Sequence, residues 1–216
     1  MSDDGLAVTH HDGPVARGDV RPHRAQPVFY FDLGSPECYL AAERVMAELP
    51  VVPEWVPILA AGLPGGGAVA RSVDVESRRA AAERRATAQQ VQPLRWPTGW
   101  PDGDTRLAMV AATYAKQIGR AVAFSLAAFR QAFAGGRTLD EDTILIAAAA
   151  CEMHPRAVLQ ALGRSSVAEA LDAATDAAGA AGVRELPAIV VGKRVFAGDE
   201  AVEQAAAALA AGIGSA

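Results

Sequence analysis

The segment Ser35-Pro36-Glu37-Cys38 sets a hydroxyl and a thiol three positions apart, the spacing of a Cys-x-x-Cys redox pair with serine in the first place. Serine cannot form a disulfide, so dithiol exchange lacks its attacking group. A hydroxyl can instead donate a hydrogen bond to a sulfur anion supplied from solution. Such a charge-assisted bond contributes roughly 1.5–3 kcal/mol, and at about 1.4 kcal/mol per unit it lowers a thiol's pKa by about one or two units. The free N–H groups and the dipole of a helix opening at this point add to the effect. The plainer role for Ser35 is to cap that helix. Cys38 lies one turn further, beside Tyr39 and Leu40. Apolar neighbours suit an inert thiol, and a lone redox or mixed-disulfide role would need exposure.

These groups must be held by the elements around them. Val28-Phe29-Tyr30-Phe31-Asp32 is a short aromatic and β-branched run bounded by Gly34 and Pro36, which predicts a buried strand. Ser35 then serves as N-cap and Pro36 as first helical residue, with Tyr39, Leu40, Val45, Met46 and Leu49 forming the apolar stripe and Pro50 ending the helix. Residues Val51 to Leu59 predict a second strand broken by Pro53 and Pro57, followed by a Gly-rich turn from Gly62 to Gly67. Alanine-rich helices are predicted over 72–91, 104–118, 121–134, 140–152, 155–162 and 165–181. Strand character returns from Leu186 to Val191, Gly192-Lys193-Arg194 turns into Val195-Phe196, and a last helix spans about Glu200 to Ala211. The order is β-α-β, a helical insertion, then β-β-α. It divides the chain into a polar extension expected to be disordered (1–27), a first half (28–62), the insertion (63–182) and a second half (183–216).

Composition excludes several functions. The chain has 216 residues, 51% of them hydrophobic, enough to bury a core. Its 20 basic and 25 acidic residues leave a net charge of −5, which favours neither nucleic acid nor an anionic membrane as partner. Two cysteines, Cys38 and Cys151, are too few for a disulfide-stapled scaffold and suit a cytoplasmic location. The amino-terminal stretch has no apolar run of signal-peptide length, and no segment approaches the roughly 20 apolar residues of a membrane span. His10 and His11 lack ligand-spaced partners, so no metal is expected.

Two motifs carry a family resemblance over residues 28 to 211. Phe29-Tyr30-Phe31-Asp32-Leu33-Gly34-Ser35-Pro36 followed by Tyr39-Leu40-Ala41 resembles the opening of 2-hydroxychromene-2-carboxylate isomerases and kappa-class glutathione transferases. These are members of the DsbA-like superfamily that carry serine at this position. Gly182-Val183-Arg184-Glu185-Leu186-Pro187-Ala188-Ile189-Val190-Val191, then Arg194-Val195-Phe196-Ala197-Gly198, is similar to the family's cis-proline strand and hairpin. A looser likeness lies in Leu94-Arg95-Trp96-Pro97 and in Asp104-Thr105 opening a helix.

The resemblance implies an α/β thioredoxin-like fold with a large helical insertion, acting as a thiol-dependent isomerase or transferase. It implies glutathione or another low-molecular-weight thiol as cofactor, a small-molecule electrophile as substrate, and a homodimer. Ser35 would stabilise the cofactor thiolate. Pro187, for which trans is the default from the residues alone, would be cis, leaving the backbone groups of Leu186 free to hold the cofactor. Asp199 and Glu200 would meet its polar end, with an N-cap role for Asp199 as the alternative. Glu37 stands where relatives often have an aromatic residue, and Val110 where the isomerases commonly supply arginine. Trp96 and Trp100, each followed by proline, suit either an aromatic substrate pocket or packing of a lid. A DsbA-like oxidoreductase using Cys38 and a non-catalytic module of the same fold are the competing functions.

The remaining groups read as structural. Arg71, Arg78, Arg79, Arg84 and Arg85 alternate with Asp74, Glu76 and Glu83, the pattern of a solvated helical face. His154 before Pro155 marks a helix end, Cys151 is a small core residue, and Gly65-Gly66-Gly67 lacks the Lys and Ser/Thr of a phosphate loop.

Overall fold

In a computed structural model that describes residues 26–65 and 74–212, four strands form one mixed sheet in the order β2-β1-β3-β4. Strand β1 (Val28–Phe31) runs parallel to β2 (Glu54–Pro57) and antiparallel to β3 (Ala188–Val191), which continues through a hairpin into β4 (Arg194–Ala197). Helix α1 (Pro36–Glu48) connects β1 to β2, and α8 (Ala201–Ala210) follows β4. Between β2 and β3, among the described residues, lie a 3-10 turn (Ala60–Gly62) and six α-helices: α2 (Val75–Ala88), α3 (Arg106–Gln117), α4 (Ala121–Phe129), α5 (Glu141–Ala149), α6 (Pro155–Leu162) and α7 (Ser165–Ala180). This is a thioredoxin-like fold with a helical insertion between β2 and β3.

Strand alternation divides the sheet between two apolar layers. Phe29, Phe31, Trp55, Ile189, Val191 and Phe196 enter the main core with α1, α8 and the insertion, while Tyr30, Val56, Ala188 and Val190 face a smaller cluster around Ile58, Val183 and Ala178 of α7. Phe129 of α4 is fully buried, with ring centroids 5.8 Å from Phe31 and 6.1 Å from Tyr39. The insertion thus completes the core of the sheet layer rather than forming a separate one.

Several expected boundaries shift for identifiable reasons. The second strand is confined to Glu54–Pro57, because Pro53 and Pro57 remove ladder donors at its ends. The helix expected over 121–134 passes into a π turn at Arg130–Ala134, and the one over 140–152 stops at Ala149, where Glu152 turns at φ 58°. The third strand begins at Ala188, after the cis Leu186–Pro187 bond. A second cis bond, Trp100–Pro101, had no signal in the chain. His154 caps α6, its Nδ1 accepting from the Arg156 N–H at 3.2 Å. The expected disorder of residues 1–27, His10, His11, Arg71, Gly66 and Gly67 fall wholly or mainly outside the described residues.

Candidate active site

The β1–α1 turn is built around Asp32. Its carboxylate, 5% exposed, accepts the Gly34 and Ala60 N–H groups, each at 2.9 Å, and so ties the turn to the chain leaving β2. Burial raises the Asp32 pKa, against the lowering effect of those two bonds and of the Thr105 hydroxyl. The Ser35 N–H donates to the Asp32 carbonyl at 3.1 Å. Gly34 permits close approach of the insertion, since a Cβ there would lie 2.5 Å from Thr105 Cγ2.

On this turn Ser35 is the N-cap of α1, its Oγ accepting from the Cys38 N–H at 3.1 Å. The same hydroxyl donates to Glu37 Oε2 at 2.7 Å. Arg78 of α2 grips the other side of that carboxylate through Nε to Oε1 and Nη2 to Oε2, both at 2.7 Å. Burial raises the Glu37 pKa, but the bonds and charge of Arg78 and the Ser35 hydroxyl outweigh it and hold the carboxyl below its ordinary range. The Arg78 guanidinium lies over the Trp100 ring, 5.1 Å from its centroid, and Trp100 Nε1 donates to the Gly34 carbonyl at 3.0 Å.

Ser35 and Glu37 open on a cleft of about 320 Å³. Its other walls are Ala60 and Leu63 after β2, Arg78 and Arg85 with small residues of α2, the Arg184-Glu185-Leu186 segment, and Asp199 before α8. Among the described residues, the Leu186 N–H and C=O have no backbone partner, while the Pro187 carbonyl is taken by the Gly198 N–H at 2.9 Å. Asp199 pairs with Arg85 and does not cap α8. Glu200 accepts from its own helix neighbour Gln204 at 3.2 Å. The cleft wall carries the Glu37–Arg78 and Asp199–Arg85 ion pairs, an unpaired peptide edge and a hydroxyl, groups of the kinds a small zwitterionic peptide thiol would need.

Of the residues singled out from the chain, the cleft brings together Ser35, Glu37, Leu186 and Asp199. Trp96 and Trp100 pack against each other, centroids 4.5 Å apart and planes tilted by 40°, behind the guanidiniums of Arg78 and Arg79 and outside the cleft wall. Trp100 lines instead a smaller apolar pocket of about 50 Å³ with Pro97, Pro101, Phe133 and Leu139. Cys38 has no exposed surface, and burial pushes its thiol up to about 12. Val110 is buried in α3. No group of three or more His, Cys, Asp or Glu side chains among the described residues could hold a metal ion, and none of their helices is long and apolar enough to cross a membrane.

The expectation of a solvated arginine face on α2 is corrected. Arg78 and Arg85 turn into the cleft and Arg79 packs on the two tryptophans, whereas Arg84 is exposed. Arg78, Ala82 and Arg85 recur at i, i+4 and i+7, one face on which arginine and small residues mix; that spacing was the available signal. Arg184 and Glu185 were also missed as cleft residues, although they directly precede the cis-proline pair.

A thioredoxin-like sheet with an insertion over its active turn, and serine where a redox pair has its first cysteine, defines the class. Residues 28–210 match the model of the DSBA-like thioredoxin domain, and the chain belongs to that family. Among solved structures it is similar to a 2-hydroxychromene-2-carboxylate isomerase (TM-score 0.73, 19% identity, 86% of this chain and 94% of the other covered). It is also similar to a probable DsbA oxidoreductase from Streptomyces coelicolor (0.70, 19%, 87% and 89%) and to Pseudomonas aeruginosa DsbA (0.53, 15%, 93% and 92%). No curated protein sequence matched the chain. At these identities the likeness speaks for the fold.

Proposed function

We propose that the chain is a thiol-dependent isomerase or transferase that uses glutathione or another low-molecular-weight thiol and acts on a small-molecule electrophile, as a cytoplasmic homodimer. The observation that carries this reading is that the Ser35 hydroxyl and the free peptide edge of Leu186 share one cleft while Cys38 is sealed off. The thiol, when bound, supplies the sulfur nucleophile. Ser35 offers that sulfur an O–H donor at a helix start, and Arg78 adds a fixed positive charge beside it. Leu186 offers one donor and one acceptor to an extended peptide. Glu185 and the Arg85–Asp199 pair would meet charged ends, while Arg184 is held to the Gly179 and Val183 carbonyls at 2.6 and 2.9 Å.

Ser35→Ala is expected to raise the pKa of a bound thiol by about one to two units, the equivalent of one charge-assisted bond. Ultraviolet thiolate titration in the presence of glutathione and related thiols measures this, and a titration curve unmoved by the substitution defeats the role given to Ser35. Thiol–disulfide exchange at Cys38 draws no support from a thiol so deeply buried. Iodoacetamide at pH 8 should leave Cys38 and the buried Cys151 unmodified in the native protein and alkylate both in urea, as read by intact mass. Rapid native labelling of Cys38 would revive the oxidoreductase reading.

A further inference from the structure

Resting on the function proposed above, we propose that the point now occupied by Glu37 Oε2 is an anion-binding position, and that Glu37 is a tethered occupant which an incoming anionic sulfur displaces. Two donors from different elements converge on that one oxygen: the Ser35 hydroxyl at 2.7 Å and Arg78 Nη2 at 2.7 Å. A hydroxyl has one proton, so Ser35 cannot serve Glu37 and a bound thiolate together. Each donor has an anchor besides Glu37. The hydroxyl is fixed by the Cys38 N–H, and the guanidinium lies on Trp100, itself anchored to the Gly34 carbonyl. Glu37 stands on the wall of a cleft of about 320 Å³, with room beside it to swing away. One monovalent anion exchanged for one carboxylate leaves the charge around Arg78 unchanged, whereas a protonated thiol, a weak acceptor, recovers little of what the Glu37 bonds gave. Binding is therefore coupled to ionisation, and the site selects anionic over neutral sulfur.

Thiocyanate serves as a probe that needs no cofactor chemistry, with the fluorescence of Trp100 beneath Arg78 as readout, in the full-length protein at constant ionic strength. Glu37→Gln keeps the shape and removes the charge, and should bind thiocyanate about tenfold more tightly than the native protein, the factor carried by one net charge-assisted bond. Glu37→Ala should do the same, and adding Arg78→Ala to either should abolish the response, with circular dichroism confirming that each variant is folded. Equal affinities in the native protein and both Glu37 variants, or binding that survives loss of Arg78, overturns the inference. Thiocyanate binding as expected without binding of any thiol would instead remove the proposed function and leave the anion position standing. A Ser35-dependent thiol site indifferent to Glu37 would do the reverse.

Discussion

Asp32→Ala should lower the stability of the protein by about 2–6 kcal/mol, because two buried N–H groups lose their acceptor and each unmade bond costs about 1–3 kcal/mol. The groups are those of Gly34 and Ala60, both at 2.9 Å from a carboxylate that has almost no contact with water. The same substitution releases the turn that carries Ser35, so binding at the cleft should weaken along with stability. Urea unfolding at neutral pH checks the first effect. Asp32→Asn keeps one acceptor oxygen but turns an NH2 group toward a donor, and an intermediate loss is expected. A cost below about 1 kcal/mol for Asp32→Ala would mean that water satisfies the freed groups and that the turn is held by other means.

Arg78→Ala should cost about 1–3 kcal/mol at pH 7 by leaving the Glu37 carboxylate in the cleft without its charged partner. The two side chains are 22% and 16% exposed, so screening by water reduces the effect without removing it. The pH dependence has a definite sign. Glu37 has its folded pKa lowered, so the stability it contributes is present above its unfolded value of about 4.3 and is lost as pH falls through the lower folded value. Asp32 acts oppositely: its folded pKa is raised, so the protonation-linked part of its contribution is present below the unfolded value and is lost as pH rises through the folded one, while its two N–H bonds remain. Native and Arg78→Ala proteins should therefore differ most at neutral pH and converge as pH falls below the unfolded value of Glu37, as urea midpoints measured down that range will show. A difference that stays constant with pH would assign the loss to packing against Trp100 rather than to the ion pair.

The same pair explains where reading the chain succeeded and where it stopped. Ser35 as N-cap, Pro36 at the first helical position and the aromatic strand before them are local rules, and each operates within a few residues. The Arg194 hairpin and the insertion helices follow from equally local turn and periodicity signals. Arg78 is different. On its own helix it is one charge among alternating charges, and the partners it meets inward, Glu37 and the Trp100 ring, both lie far from it in the chain. Trp96 and Trp100 suited an aromatic pocket or lid packing by type; in the fold the two rings pack on each other and under Arg78 and Arg79, and Trp100 lines an apolar pocket separate from the cleft.

The linear chain was sufficient for the order of elements, the strand-turn-helix that presents Ser35, and the chemistry a hydroxyl there can and cannot perform. These depend on backbone preferences and apolar period, which act over single turns. The cleft, the burial of Cys38 in the main core and the commitment of the Ser35 proton to Glu37 exist only in the folded molecule, where α2 and the segment before Pro187 lie beside the β1–α1 turn. Electrostatic pairing and desolvation depend on distance through space, and residues 35, 78, 186 and 199 become neighbours only in the folded molecule.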